Sequence, residues 1–214
     1  FSPEAAAVFV SDLDGFSELQ LLAALKRCRR EVRGALTVQD VVSRIGYSLV
    51  DILEELLPEH RDRVWELRER YIHHFQGQDS RHTRLLPGVA ETLSTLRAMG
   101  FRQSLATNKT TSEADRILTQ LGVRGHLDLL VGFMDVPNPK PAPDMINLTL
   151  ERMEVSAERA VFVDDTTVGL MAGIKAGVRT IGITTGTHTR RQLATVRPDT
   201  IIDSIAQLTQ ILGR

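Results

Sequence analysis

Hydrophobic positions in this chain change their period along its length. At the start, Val8 to Ser11 form a short apolar, β-compatible run that ends in Asp12-Leu13-Asp14-Gly15, which predicts a buried strand closing on an acidic turn. From Glu18 to about Arg84 the period is helical. Leu21, Leu25, Cys28 and Val32 share one helix face, while Lys26, Arg27, Arg29, Arg30 and Arg33 fall mostly elsewhere, as on a solvated surface. A second stripe, Val38, Val41, Val42, Ile45, Leu49, Ile52, Leu53 and Leu56, begins at Thr37-Val38-Gln39-Asp40, which is close to a capping box, and stops at Pro58. Gly46 inside that stripe would cost a continuous helix about 1 kcal/mol relative to alanine, so a break or a close approach is expected there. Val64, Leu67, Tyr71 and Phe75 make a third stripe, and Trp65 is expected to pack within the same helical unit.

Beyond Leu86, apolar runs of strand length alternate with helical segments. Helices are predicted at Gly88 to Met99, Ser112 to Leu121, Pro143 to Met153, Val168 to Ala176 and Ser204 to Leu212. Strands are predicted near Phe101 to Thr107, Leu127 to Phe133, Ala160 to Val163, Thr180 to Thr184 and Thr200 to Ile202. Such alternation implies a Rossmann-like parallel sheet with helices on both faces and right-handed crossovers. The predicted fold class is therefore α/β, with residues 1–15 and 85–214 as the core and residues 16–84 as a small all-α unit inserted after the first strand.

Composition narrows the partners. With 214 residues, 42% hydrophobic and 25% charged, the chain suits one core domain plus a small insertion. A net charge of −1 supplies no global field for nucleic acid or an anionic membrane, so neither is expected as a partner. Cys28 is the sole cysteine, which excludes an internal disulfide and a cysteine-based zinc cluster and makes a reducing cytoplasm the expected location. The apolar runs fall short of the ~20 residues that span a bilayer. Phe1-Ser2-Pro3-Glu4 carries no signal-peptide pattern, and the missing initial Met suggests that the true N-terminus is not shown.

Candidate chemistry gathers where strands end. Asp12 and Asp14 close the first strand, and Arg159-Ala160-Val161-Phe162-Val163 runs directly into Asp164 and Asp165. Either acid pair alone is compatible with a plain turn, but two at the carboxyl ends of parallel strands suggest one shared site. Between them lie Ser104-Leu105-Ala106-Thr107-Asn108-Lys109, closing on a hydroxyl and an amide, and Asn138-Pro139-Lys140-Pro141, a cation between prolines. His73 and His74, adjacent on a helix, diverge by ~100° and do not readily share a metal. His188, in Gly186-Thr187-His188-Thr189, follows a strand end and could approach the site, although an ordinary loop position is the expected one.

The order acid pair, hydroxyl, lysine, acid pair resembles the four motifs of the haloacid dehalogenase-like hydrolase superfamily, most closely its phosphoglycolate phosphatase-like and phosphomutase-like branch. The resemblance spans Val8 to about Leu212. It implies that residues 16–84 form a mobile helical cap over the site, and that the substrate is a small phosphorylated metabolite. It further implies that Asp12 is the nucleophile that becomes an aspartyl-phosphate and Asp14 the acid and base that serves the leaving oxygen and then the water. Thr107 and the backbone at Asn108 would hold phosphoryl oxygens, and Lys140 would supply positive charge. Asp12, the carbonyl of Asp14, and Asp165, with Asp164 as a further or supporting ligand, would hold Mg²⁺. An all-oxygen donor set suits that ion, and it offsets carboxylate pairs that at 4 Å would oppose one another by about 4 kcal/mol at an effective dielectric of 20.

Two motifs depart from the pattern. Gly15 is followed by Phe16 where the family usually keeps threonine, and Asp164 and Gly169 stand where glycine and a second aspartate are often found. The second departure resembles phosphoglucomutase-like members. The leading expectation is a Mg²⁺-dependent phosphatase, monomeric or homodimeric, with a sugar phosphomutase or a pyrophosphatase as alternatives on the same core. A receiver-like phospho-accepting module and a catalytically inactive binding relative are the readings from other classes.

Overall fold

The computed structural model describes residues 7–10, 44–77 and 84–213, with side chains given at 44–72 and 84–213. Asp12, Asp14, Phe16 and the first helical stripe lie outside the described residues, as do the side chains of His73 and His74.

Six strands form one sheet: β1 (Ala7–Val10), β2 (Arg102–Thr107), β3 (Leu129–Gly132), β4 (Ala160–Asp164), β5 (Arg179–Ile183) and β6 (Thr200–Ile202). Their order is β3-β2-β1-β4-β5-β6, and every neighbouring pair is parallel. Each strand lies where apolar alternation puts it, and the α/β expectation holds. β4 is buried at all five positions, as a central parallel strand covered on both faces must be.

The two faces are packed by different helices, and β4 shows how the side chains divide. Val161 and Val163 join Val89, Leu93 and Leu96 of α3 (Val89–Ala98), Ala114 and Leu118 of α4 (Thr111–Gln120) and Leu208 and Leu212 of α8 (Gln207–Leu212). Ala160 and Phe162 face the other way, onto Met145, Ile146 and Met153 of α5 (Asp144–Met153) and Ala172 of α6 (Thr167–Lys175). The period of two along the strand thus builds two cores from one apolar run. A short helix, α7 (Arg190–Ala194), follows β5 and was not anticipated from its sequence. Its five residues hold too little of a helical period to register, and a Thr189–Gln192 capping box specifies its start instead.

Between β1 and β2 lie α1 (Leu49–Leu56) and α2 (Val64–Gly77), joined by a 3₁₀ segment over Pro58–Arg63. Leu53, Leu57, Val64, Leu67 and Tyr71 form their own apolar cluster, separate from the sheet's two cores. The break expected at Gly46 is real. Residues 44–47 are a turn, Gly46 has φ +104°, and α1 begins only after Ser48, whose hydroxyl accepts the Asp51 N–H at 3.2 Å. Ser48→Ala is expected to lower stability by about 1 kcal/mol in urea unfolding, the usual loss of an N-terminal cap.

This helical unit is fastened to the core at three points. Arg68 of α2 is buried, donates to Glu113 of α4 at 3.3 Å, and lies 5.2 Å from the centre of the Phe133 ring just beyond β3. Trp65 stacks on that same ring at 6.2 Å, so it reaches across to the core as well as belonging to the helical unit in which its sequence position placed it. The third point is Gly46 itself, which reaches the candidate site.

Candidate active site

In a sheet of order 3-2-1-4-5-6 the strand order reverses between β1 and β4, and the crevice at their carboxyl ends is where such folds bind ligands. The register pairs Val10 with Val163, so β1 delivers the chain to residue 11 at the level where β4 delivers it to Asp164. Thr107 ends β2 on the other side of β1.

Lys140 and Asp164 meet at this level. The ammonium donates to Asp164 Oδ2 at 3.1 Å, with the two side chains only 4% and 1% exposed. The other oxygen of Asp164 accepts both the backbone N–H and the hydroxyl of Thr166 at 2.7 Å. Thr166 is also the N-cap of α6, accepting the Gly169 N–H at 3.0 Å. The absent side chain at Gly169 explains the departure noted in the sequence. A Cβ there would lie 1.6 Å from Asp164 Oδ2, so the Asp164 carboxylate fills the space that a larger residue at 169 would claim. Acid at 164 and glycine at 169 are therefore one substitution in physical terms.

The loop that presents Lys140 is held by Asn108 on one side and Lys175 on the other. Asn108 Oδ1 accepts the Lys140 N–H at 3.2 Å, and Asn108 Nδ2 donates to the Lys140 carbonyl at 3.3 Å. Lys175 of α6 donates to the Pro141 carbonyl at 3.0 Å. A buried ammonium keeps one position only if its backbone cannot drift, and these contacts supply that constraint. Thr107 is buried at the end of β2, where its hydroxyl accepts the Lys109 N–H at 3.2 Å.

Asn108 also donates to the Gly46 carbonyl at 2.9 Å, so one amide touches both the Lys140 loop and the turn ahead of α1. Gly46 is seated against Thr166, where an added Cβ would come within 2.9 Å of the hydroxyl oxygen. Gly46→Ala combines that clash with a left-handed backbone, and a loss of about 1–3 kcal/mol is expected. Thermal melting checks it, and an unchanged Tm would show that the turn is not seated on Thr166.

Asp165 lies on the opposite side of the pair, wrapped by the loop after β5. Thr187 N–H donates to Asp165 Oδ2 at 3.1 Å, and a Cβ on Gly186 would fall 1.7 Å from that oxygen. His188 Nδ1 accepts the Thr167 N–H at 2.9 Å. Loss of solvent around the ring, partly opposed by the charge of Asp164, lowers the His188 pKa from its ordinary value.

Among the described residues no three His, Cys, Asp or Glu side chains come together as a metal site. Asp165 nevertheless fits one side of a site for a hard, hydrated cation. It is a carboxylate in a cradle only glycine permits, and beside it the buried hydroxyl of Thr187 finds no hydrogen-bond partner among the described residues.

The structure thus brings Lys140, Asn108, Asp164 and Asp165 to one end of the sheet with Thr107. Sequence reasoning missed the Asn108 side chain and Thr166. The Gly-Thr-His run directly after a strand hinted that its loop could approach the site, and His188, expected at an ordinary loop position, is tied to α6.

Comparison with known proteins places the chain in a family. The family model described as haloacid dehalogenase-like hydrolase matches residues 12–183. The chain is 35% identical over 124 residues to a protein of Dickeya dadantii named "Probable phosphatase IndB", covering 58% of this chain and 54% of that protein. It is 32% identical over 152 residues to the phosphoglycolate phosphatase of Escherichia coli K12, covering 71% of this chain and 60% of the enzyme. The chain thus spans a little over half the length of these curated relatives. Its fold is that of a haloacid dehalogenase-like family hydrolase from Streptococcus pneumoniae, with a TM-score of 0.83 at 19% identity, covering 99% of this chain and all of that one.

Proposed function

Because this chain belongs to the haloacid dehalogenase-like hydrolases, we propose that it is a Mg²⁺-dependent phosphatase of a small phosphorylated metabolite, working through an aspartyl-phosphate on Asp12. The observation that carries the reading is Lys140. An ammonium is buried against Asp164 at the carboxyl ends of β2 and β4, where the chain reverses its order in the sheet, with its backbone braced by Asn108.

The chemistry assigns each group a task. Asp12 attacks phosphorus in line as the ester bond breaks, and Asp14 gives its proton to the leaving oxygen. Asp14 then takes a proton from the water that hydrolyses phospho-Asp12, which restores both acids. Lys140 and the hydroxyl of Thr107, with the backbone at Asn108, neutralise and orient the phosphoryl oxygens. Asp164 acts here by holding Lys140, a task supported by both of its oxygens being engaged by Lys140 and Thr166. Asp12, the Asp14 carbonyl and Asp165 would hold Mg²⁺, with Asp164 as a supporting residue. The ion would supply the positive charge that lets several carboxylates approach a phosphate. In the same reading residues 16–84 are the cap, and the turn at Gly46 brings it to the site.

Phosphate release from a panel of phosphorylated C2 to C6 metabolites, with Mg²⁺ and with excess chelator, tests the proposal. Release from at least one compound that chelator abolishes is the expected result, and no release from any would sink the phosphatase reading. The Asp164 and Gly169 arrangement also favours a sugar phosphomutase as the second reading, and isomerisation of a hexose phosphate without release would promote it.

A further inference from the structure

The loop that links β5 to α7 is fixed at both roots. Thr184 N–H donates to the Ile202 carbonyl of β6 at 3.0 Å, and Thr189 N–H donates to Gln192 of α7 at 2.8 Å. Between these roots, the backbone of Gly186 and Thr187 closes on the Asp165 carboxylate. A span of four residues held only at its ends would let that backbone swing. One further contact arrests it, the hydrogen bond from Thr167 N–H at the first residue of α6 to Nδ1 of His188.

A backbone amide always carries its hydrogen, so the ring nitrogen that receives it must be without one. His188 is therefore the tautomer with hydrogen on Nε2. The same contact satisfies one of the N–H groups left unpaired at a helix start, beside the one that Thr166 satisfies. It joins the helix whose N-cap grips Asp164 to the loop that clasps Asp165.

We propose that His188 is a positioning residue for Asp165, locking the 184–189 loop onto the start of α6 so that the Thr187 N–H and the Gly186 cradle aim the carboxylate. The importance of that aim rests on the reading of Asp165 as a cation ligand. Groups that orient a ligand from behind commonly change metal affinity by about 10–100-fold when removed.

The side-chain geometry supplies a discriminating pair of variants. Asparagine places Oδ1 where histidine has Nδ1, whereas glutamine places its polar atoms one bond further, where histidine has Nε2. His188→Asn should thus keep the acceptor for Thr167 N–H, and His188→Gln and His188→Ala should lose it. The full chain and the three variants are titrated with Mg²⁺ alone by calorimetry, and the amide resonances of Thr167 and Thr187 are recorded in metal-free protein. Expected are an affinity about 10-fold weaker in the Ala and Gln variants, recovery to within about 3-fold in the Asn variant, and amide shifts that follow the same split. Equal affinity in the parent and His188→Ala, or equal behaviour of the Asn and Gln variants, would overturn the inference. Should the parent bind no Mg²⁺, the cation reading of Asp165 fails, and the inferred role fails with it. Amides unmoved by His188→Ala in a parent that does bind Mg²⁺ would refute the lock alone.

Discussion

Lys140→Ala is expected to lower turnover by about 10²–10³-fold, the loss that follows removal of one charge-stabilising donor, and to destabilise the fold by about 3–5 kcal/mol. The two losses have different physical origins. Stability falls because Asp164, 1% exposed, keeps its bonds from Thr166 but loses the ammonium that compensates its charge. Turnover falls because the proposed mechanism loses the ammonium that, together with Mg²⁺, neutralises the transferring phosphoryl group. A double replacement separates them. Lys140→Met with Asp164→Asn removes both charges and leaves an acceptor for the Thr166 N–H and hydroxyl, so it should recover much of the stability and none of the turnover. Urea unfolding and steady-state kinetics on the two single variants and the double variant check this. Recovery of turnover in the double variant would show that Lys140 acts only as Asp164's partner.

The second large effect is at Asp12. Asp12→Asn is expected to cut turnover by about 10⁴-fold or more, as loss of a nucleophile does, while leaving the fold intact. In metal-free buffer its Tm should not fall below that of the parent, because in the proposed site the change removes one of several like charges that would converge without a compensating cation. Phosphate-release kinetics and melting in chelator measure both quantities. A loss of turnover accompanied by a large fall in Tm would mean that Asp12 serves the fold, and appreciable residual turnover would show that it is not the nucleophile.

Much of the sheet was legible because parallel strands buried on both faces must be continuously apolar, as Ala160 to Val163 is. The acids that follow mark where the apolar run ends, which located Asp164 and Asp165. The break at Gly46 was legible from the cost of glycine inside a helical stripe, and the structure adds the cause: φ +104° and a seat against Thr166. Roles that depend on which loop meets which were not legible. Asn108 touches Lys140 and Gly46, 32 and 62 residues away, and nothing local encodes either contact. Trp65 lies on a helix face that could serve its own unit, and only the position of Phe133 beyond β3 reveals that it packs across to the core. The Asp164 and Gly169 pair was visible as a departure, but its logic is steric: the carboxylate occupies the volume that glycine leaves.

The proposed mechanism turns on a covalent phosphoryl group on Asp12, received at a site whose described half is Thr107, Asn108, Lys140, Asp164 and Asp165. Acid quenching of the protein during turnover of a substrate that it hydrolyses, followed by borohydride reduction and peptide sequencing by mass, reads that group directly. Reduction of an aspartyl-phosphate leaves homoserine in place of aspartate. Homoserine at position 12, dependent on substrate and absent from Asp12→Asn, is the predicted result. Unmodified Asp12 throughout turnover, or homoserine at position 14, 164 or 165 instead, would contradict the account.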